Sequence, residues 1–255
     1  MIHPTAIVHP NANIARGAEI GPYCILGENV SIGTGTVLQA HVVVNGWTEI
    51  GEDCQIYPFA TIGSSSQDRK YTGERAYTKI GNRTTIREYV SIQRATGEEQ
   101  VTHVGDDVLL LAYVHIAHNC VIGNGVTMSN LAQLAGHCEI GENATIGGMA
   151  GLHQFVRVGR YAMVGGASKI LKDCPPFCLI EGSPAKPAGL NSVGLRRGGF
   201  SLEERNEIKE CYKILYSSKL NVSQALERLE EEVKTSCGHE MLAFLKADSH
   251  RGITK

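Results

Sequence analysis

Four of the ten histidines in the sequence have a spacing that allows their side chains to act together. His115 and His118 are three residues apart, and His137 and His153 follow further along the chain. A histidine side chain has an unperturbed pKa of about 6.5, so it exchanges protons near neutral pH, and in its neutral form it binds metal ions. These residues therefore predict either general acid–base chemistry or a metal site.

No serine or cysteine stands among these histidines in an evident nucleophile motif. This favours direct attack by a substrate hydroxyl, with one histidine taking the proton, over a covalent enzyme intermediate.

A six-residue repeat runs through most of the chain and determines where these side chains lie. Every sixth residue from Ile2 to Ile170 is aliphatic or methionine, apart from three acidic exceptions, Asp68, Glu74 and Glu98. A sustained period of this kind indicates a solenoid in which each coil rests on the next. Three hexads make a triangular coil of 18 residues, so the sequence predicts a mainly β fold, a parallel β-helix.

Residues 18 positions apart stack in neighbouring coils of such a solenoid. His118 then stacks on Gly136, and Gly136 stacks on Gln154. His137 and His153 lie one residue to either side of this column. We therefore expect the four histidines to gather along one edge of the solenoid.

Composition limits the class of protein. The net charge of -2 and the pI of about 6.6 argue against a nucleic-acid-binding protein. No apolar run approaches the ~20 residues of a membrane span, and the N-terminus lacks a signal-peptide pattern, so we expect a cytoplasmic protein. Four of the eight cysteines fall in a second column of small residues, and this predicts that their thiols are buried and have no disulfide or metal role. They are Cys24, Cys54, Cys120 and Cys138.

The exceptions to the repeat mark two inserted loops, at 64–79 and 97–103, and such loops often carry function. Prolines at 175, 176, 184 and 187 predict that regular strands stop after Ile170. A helical pattern follows, and Ser201 with Glu204 forms a capping box before it. We expect a β-helix over 1–190 that carries both loops, and a C-terminal α-helical domain over 191–255.

Several motifs together resemble one family over almost the whole chain. They are HIAHNC at 115–120, LAGH at 134–137, HQF at 153–155 and QDRKY at 67–71. The sequence is similar to the UDP-N-acetylglucosamine O-acyltransferases. This resemblance implies a left-handed parallel β-helix and a homotrimer with active sites between subunits. It also implies transfer of a 3-hydroxyacyl chain from acyl carrier protein to the glucosamine 3-OH of UDP-N-acetylglucosamine, the first step of lipid A biosynthesis, without a cofactor or metal.

The resemblance also implies roles for individual residues. His118 matches the general base, and the backbone N–H of Gly136 matches the oxyanion donor. Gly166 matches the position that limits acyl length, and a glycine there implies an open groove and a longer chain. The implied substrate-binding residues are Gln67, Asp68, Lys70, His115, His137, His153, Gln154, Asn191 and Arg197.

Four residues depart from the family pattern. Asn119 stands where an aspartate often follows the base, and Gln93 stands where a histidine is common. Val193 replaces a glutamate that can contact the ribose, and Gly198 interrupts a basic pair. The sugar is thus either UDP-N-acetylglucosamine or its 3-amino analogue.

Three other functions fit parts of the pattern. A zinc carbonic anhydrase on the same solenoid would use the histidines as metal ligands, but it gives no role to the QDRKY loop. The N-acyltransferase of the same pathway usually carries an additional N-terminal domain, whereas the repeats here start at Ile2. A non-catalytic scaffold leaves the clustered histidines unexplained.

Overall fold

The computed structural model describes all residues 1–255 and consists of 27 short strands followed by a group of helices. Twenty-five of the strands precede residue 171 and wind into three parallel sheets, because each strand from β1 to β22 pairs with the strand three positions later. The first sheet contains β1 Ile7–Val8, β4 Ile25–Leu26, β7 Val43–Val44, β10 Thr61–Ser64, β13 Ser91–Gln93, β16 His115–Ile116, β19 Gln133–Leu134, β22 Gly151–Leu152 and β25 Lys169–Ile170.

The other two sheets complete the triangular cross-section. The second contains β2 Asn13–Ile14, β5 Val30–Ile32, β8 Trp47–Ile50, β11 Tyr77–Ile80, β14 Val101–Val104, β17 Val121–Ile122, β20 Glu139–Ile140 and β23 Arg157–Val158. The third contains β3 Glu19–Ile20, β6 Val37–Leu38, β9 Gln55–Ile56, β12 Thr85–Ile86, β15 Leu109–Leu110, β18 Thr127–Met128, β21 Thr145–Ile146, β24 Met163–Val164, β26 Cys178–Gly182 and β27 Ala185–Leu190.

The 18-residue register predicted for the coils is confirmed. His115 pairs with Gln133, and Gln133 pairs with Gly151, each one coil further on. The aliphatic residue of the repeat points inward, and from Ile20 to Ile170 this column, including Ile116 and Leu134, is almost completely buried. Burial of one such side chain stabilises the fold by roughly 1.5–3 kcal/mol, so the apolar column provides the core. All eight cysteines are buried, and they include the four that were predicted to be buried in the second column.

The two inserted loops have different limits from those predicted. Ser64 and Tyr77 to Lys79 lie in strands, so the first irregular segment is 65–76 rather than 64–79. The second is 94–100 rather than 97–103, since β14 begins at Val101. The repeat missed these limits because polar residues continue the strands: Thr78 is fully buried in β11 and pairs with the buried Thr48 and Thr102 of the neighbouring strands.

The prediction that regular strands stop after Ile170 is wrong. β26 adds to the third sheet in parallel with β24, and β27 then returns antiparallel to β26. Pro187 lies within β27 opposite Ile180. A proline is tolerated there because β27 is the edge strand of its sheet, where one face of the backbone has no ladder partner.

Four α-helices and one π-helical segment, Lys213–Ser217, form the C-terminal region. The α-helices are α1 Ser192–Arg197, α2 Leu202–Tyr212, α3 Val222–Glu232 and α4 Ser236–Lys246. The predicted capping box at α2 is present: Ser201 Oγ accepts from the Glu204 N–H, and the Glu204 carboxylate accepts from the Ser201 N–H. None of these helices has the length and apolar character needed to cross a bilayer.

A hydrogen bond to a buried carboxylate and one ion pair connect the solenoid to the C-terminal region. Arg157 donates from Nε to Oδ2 of the fully buried Asp173 at 2.8 Å, and Ser249 Oγ donates to the same oxygen at 2.7 Å. Arg160 pairs with Glu240 of α4 at 2.9 Å. These contacts hold the C-terminal segment against the last coils, beside the histidine-bearing edge.

Candidate active site

His118 lies at a corner between two sheets, and its neighbour Asn119 determines which ring nitrogen carries the proton. Nδ1 of His118 is 2.9 Å from Oδ1 of Asn119. The orientation of the Asn119 amide is fixed by Thr96, whose N–H donates to Oδ1 at 2.9 Å and whose carbonyl accepts from Nδ2 at 3.1 Å. Oδ1 is therefore an acceptor, so Nδ1 of His118 must carry a hydrogen. In the neutral ring the lone pair is then on Nε2.

This tautomer gives His118 the form that a general base needs. Nε2 is 3.9 Å from Oδ2 of Asp68, and the two side chains are only 14% and 23% exposed. A carboxylate at that distance stabilises an imidazolium that forms when Nε2 accepts a proton. The ring of His137 meets His118 edge to face, with centroids 5.2 Å apart.

The first inserted loop brings Asp68 to this position through hydrogen bonds of its backbone. The Asp68 N–H donates to Ser66 Oγ at 3.1 Å, and Ser66 Oγ is 2.7 Å from Thr96 Oγ1. Gln93, one of the departures from the family pattern, accepts from the Gln67 N–H at 3.3 Å. The Lys70 N–H donates to Asp68 Oδ1 at 3.0 Å, while the side chains of Gln67 and Lys70 remain exposed.

The carboxylate of Glu74 joins this loop to the loop at 94–100. Oε1 of Glu74 accepts from the Gly97 N–H at 2.7 Å, and Oε2 accepts from the Thr72 N–H at 2.8 Å. These hydrogen bonds lower the pKa of Glu74 to about 2, so the carboxylate is charged at every pH at which the protein is used. Both inserted loops therefore support the His118 site.

Gly136 lies directly against the His118 ring, as the coil register predicted. A Cβ atom at position 136 would be 2.5 Å from Cε1 and Nε2 of His118, so any larger residue would displace the ring. The backbone N–H of Gly136 donates no hydrogen bond within the chain, although the residue is buried. An unpaired backbone N–H on a residue that touches the basic ring can donate to a developing oxyanion.

His137 and Phe155 adopt left-handed backbone conformations at the same corner, with φ of +60° and +64°. Their rings stack with centroids 4.6 Å apart. Burial lowers the pKa of His137, and the adjacent His118 ring adds to the effect. His137 is thus neutral near pH 7 and presents a ring nitrogen that can donate to or accept from a hydroxyl.

His115 and His153 line a neighbouring trough of about 380 Å³ on the outer face of the first sheet. Nδ1 of His115 is 2.7 Å from Ser91 Oγ, and burial lowers the pKa of His115. His153 is exposed, with Nδ1 3.2 Å from the carbonyl oxygen of the exposed Gln154. The predicted group of four histidines is therefore two adjacent pairs: His118 touches His137, and His115 faces the trough with His153.

Three residues implied by the resemblance lie away from His118 within one chain. Asn191 caps α1, since its Oδ1 accepts from the Gly194 N–H at 3.0 Å and its Nδ2 donates to the Tyr161 carbonyl at 2.9 Å. Arg197 is exposed in the last turn of α1. Gly166 is exposed, and a Cβ atom there would meet only the backbone of Gly148, at 3.3 Å from its carbonyl oxygen.

Two further departures from the family pattern differ in their surroundings. Gly198 packs on the ring of Tyr161, where a Cβ atom would be 2.7 Å from Cε1. Val193 is 50% exposed in α1, and nothing in the structure explains its replacement of a polar residue.

Sequence reasoning missed several residues of the site. Thr96, which orients Asn119, lies within the second irregular segment and carries no pattern of its own. Asp248 and His250 of the C-terminal segment line a polar cavity of about 300 Å³ together with Asn119 and His137. The break in the register at Glu98 was the only signal for Thr96, and no signal indicated the C-terminal segment.

Within the chain no group of three or more His, Cys, Asp or Glu side chains is arranged to hold a metal ion.

Comparison with known proteins places the chain in one family. Residues 173–254 match the family described as Udp N-acetylglucosamine O-acyltransferase, domain 2, and residues 29–64 and 102–136 match the bacterial transferase hexapeptide repeat. The chain is 54% identical over 233 residues to the acyl-[acyl-carrier-protein]–UDP-N-acetylglucosamine O-acyltransferase of Thermodesulfovibrio yellowstonii, covering 91% of this chain and 90% of that protein. It is 45% identical to the protein of the same name from Syntrophobacter fumaroxidans, covering 100% and 99%.

Solved structures agree with the sequence relatives. The UDP-N-acetylglucosamine acyltransferase of Francisella novicida superposes with a TM-score of 0.97 at 38% identity, covering 100% of this chain and 94% of that one. The LpxA structure from Acinetobacter baumannii superposes with a TM-score of 0.94 at 41% identity, covering 100% and 99%.

Proposed function

The chain belongs to the UDP-N-acetylglucosamine O-acyltransferase family, and from this premise we propose that it transfers a 3-hydroxyacyl chain from acyl carrier protein to the glucosamine 3-OH of UDP-N-acetylglucosamine, the first step of lipid A biosynthesis. It is an acyltransferase with a left-handed parallel β-helix fold. The observation that carries the proposal is the basic Nε2 of His118 next to Gly136, a residue whose backbone N–H is unpaired.

The reaction proceeds in two steps at these atoms. Nε2 of His118 takes the proton of the sugar 3-OH as that oxygen attacks the thioester carbonyl carbon. The carbonyl oxygen becomes an oxyanion, and the Gly136 N–H donates to it. The intermediate then expels the thiolate of the donor, and the His118 imidazolium returns the proton to that sulfur. Asn119 keeps the Nδ1 proton in place throughout, and Asp68 stabilises the imidazolium.

The residues around His118 bind the acceptor sugar. Asp68 and Gln67 come from the first inserted loop, and Lys70 follows them. Neutral His137 and His115 provide ring nitrogens for sugar hydroxyl or amide groups, because burial lowers the pKa of each. The same neutral donors and acceptors suit UDP-N-acetylglucosamine better than a 3-amino sugar, whose ammonium would favour an additional carboxylate.

The nucleotide site and the acyl groove are completed between subunits of a homotrimer. Asn191, Arg197 and Gly166 make no contact with His118 in one chain, so they would serve the site of a neighbouring subunit. His153 and Gln154 face outward and meet the nucleotide across this interface. Gly166 leaves the groove open toward Gly148, which favours a longer acyl chain.

We further propose that residues 1–190 form the β-helical domain and 191–255 the α-helical domain, with the enzyme acting in the cytoplasm, where its acyl carrier donor is made.

Mass spectrometry of the product tests this function. The purified enzyme receives a mixture of 3-hydroxyacyl carrier proteins of several chain lengths, together with UDP-N-acetylglucosamine and its 3-amino analogue. We expect one dominant product, an ester of the N-acetyl sugar with a long 3-hydroxyacyl chain. An amide product would instead assign the 3-amino sugar, and no acylated sugar would refute the proposed reaction.

A further inference from the structure

Aromatic rings stack along two corners of the solenoid, because equivalent residues of successive coils lie above one another. At one corner, five exposed rings form a column with centroids 4.8–5.0 Å apart and planes within 12° of parallel, Tyr23, His41, Phe59, Tyr89 and Tyr113. Each of these residues has a positive φ, between +57° and +65°. A ring at this turn position therefore rests on the ring of the next coil.

The corner that carries His118 has a shorter column. His137 and Phe155 occupy the equivalent turn position in two consecutive coils, and their rings stack at 4.6 Å. The next residue of this column, 18 positions after Phe155, is Asp173, which has no ring. A third ring comes from the C-terminal segment instead, since His250 lies 5.0 Å from Phe155 at an angle of 43°. Phe155 therefore contacts one ring of the solenoid and one ring near the end of the chain.

The C-terminal segment is held in place by the neighbours of His250. Ser249 Oγ donates to the buried Asp173 carboxylate at 2.7 Å, and it accepts from the Arg251 and Gly252 N–H groups at 3.1 and 2.7 Å. The Asp173 N–H donates to the Gly252 carbonyl at 2.8 Å. None of these hydrogen bonds uses the His250 side chain, so a substitution at position 250 leaves the segment attached.

Titratable groups from four parts of the chain face His137. They are His118 at the same corner, Asp68 and Lys70 of the first inserted loop, Glu139 and Arg157 of the second sheet, and Asp248 and His250 of the C-terminal segment. Burial is the main cause that lowers the pKa of His137, and the charge of His250 lowers it further, whereas Asp68 raises it. Removal of the His250 ring opens the polar cavity of about 300 Å³ to water and removes one positive charge, and both changes raise the pKa of His137.

We propose that His250 is a positioning residue that holds Phe155, and through it the ring of His137, in the orientation that binds the acceptor sugar. This inference deepens the proposed function, in which His137 contacts the sugar beside His118. His250 acts through the ring of Phe155 and not by contact with the substrate. The C-terminal segment is thereby part of the acceptor site, although it lies more than 90 residues beyond the HQF motif.

The test compares His250→Ala and His250→Phe with His239→Ala, the matched control at an exposed histidine of α4. His250→Ala should raise KM for UDP-N-acetylglucosamine by about 3- to 10-fold, the effect of one aromatic contact, with kcat within about twofold of the original. His250→Phe keeps a ring against Phe155 and should restore KM. In an NMR titration of the unligated enzyme, the pKa of His137 should rise in His250→Ala and change little in the other two variants.

Two results would overturn the positioning role. One is a His250→Ala enzyme whose KM and His137 titration match those of His239→Ala. The other is an equal rise of KM in both His250 variants with an unmoved His137 titration, since His250 would then contact the substrate itself. If the unmodified enzyme acylates no sugar, the proposed function fails, and the titration still decides the contact: a His137 pKa that rises only in His250→Ala supports it, and one that stays constant in all variants refutes it.

Discussion

Replacing Asn119 by alanine removes the group that accepts the Nδ1 proton of His118. The lost hydrogen bond is worth about 0.5–1.5 kcal/mol, and the Thr96 N–H and carbonyl lose their partner as well. The ring is then free to turn and to place its proton on Nε2, the wrong position for a base. A loss of roughly 1.5–3 kcal/mol in the transition state corresponds to a fall in kcat of about 10- to 100-fold.

Asn119→Asp separates the electrostatic effect from the geometric one. A carboxylate accepts the Nδ1 proton about twice as strongly, which favours the imidazolium by roughly 1.4 kcal/mol. The acidic limb of the kcat/KM profile should therefore move to higher pH by about one unit. Asp68 and His137 also face the ring, and this substitution leaves both in place. The second carboxylate oxygen would replace Nδ2, 3.1 Å from the Thr96 carbonyl, so the free energy of unfolding should fall by about 1–3 kcal/mol.

The assay combines kcat/KM between pH 5.5 and 9 with urea unfolding and with 15N spectra that report the histidine tautomer. Asn119 has a φ of +58°, which asparagine tolerates better than alanine, so part of any instability comes from the backbone. Asn143→Ala is the matched control, because Asn143 has a φ of +57° and no side-chain hydrogen bond. An Asn119→Ala enzyme with the kcat, pH profile and tautomer of the Asn143→Ala enzyme would refute the role of Asn119.

Three other substitutions test separate parts of the site. Gly136→Ala places a methyl group 2.5 Å from the His118 ring, so kcat should fall by about 100-fold or more, and a kcat within threefold of the original would contradict the assigned geometry. Gly166→Met should fill the acyl groove and shift the product to a shorter chain, measured by mass spectrometry with mixed donors; an unchanged chain length would place the groove elsewhere. Glu74→Gln should raise KM for the sugar nucleotide several-fold with little change in kcat, because the hydrogen bonds of residue 74 to Gly97 and Thr72 weaken. A comparable fall in kcat would instead indicate a direct catalytic effect. The pKa of Glu74 is lowered to about 2 from 4.5, so its stabilisation is present above pH 4.5 and lost as the pH falls toward 2, and acid titration of the Gln variant should lack this contribution.

The coil register could be predicted from sequence because a buried aliphatic column repeats without interruption wherever three hexads close a turn. That register alone placed His118 against Gly136, which the structure confirms. It failed where a polar residue occupies a buried position, as at Thr78, and so it assigned part of β11 to a loop. It also missed β27, because Pro187 is tolerated only at the edge of a sheet, and edge position is a property of the assembled fold.

The environment of His118 was less predictable than its position. The sequence identified Asn119 as a departure from the family pattern but gave no reason for it. The reason is a contact with Thr96, 23 residues away in an inserted loop, where the repeat provides no register. Likewise, Gln93 replaces a common histidine and supports the Gln67 backbone in a contact between two irregular segments. Such pairs depend on loop conformation, which follows from packing and not from periodicity.

The central claim is that His118 acts as the general base for acyl transfer, and single-turnover kinetics of His118→Ala test it most directly. The rate of transfer from acyl carrier protein to UDP-N-acetylglucosamine should fall by about 10²- to 10⁴-fold, while sedimentation shows the same oligomer as the unmodified enzyme. His103→Ala, at an exposed position in β14, is the control and should keep the original rate. A His118→Ala enzyme that transfers the acyl group at a rate close to that of His103→Ala would contradict the account.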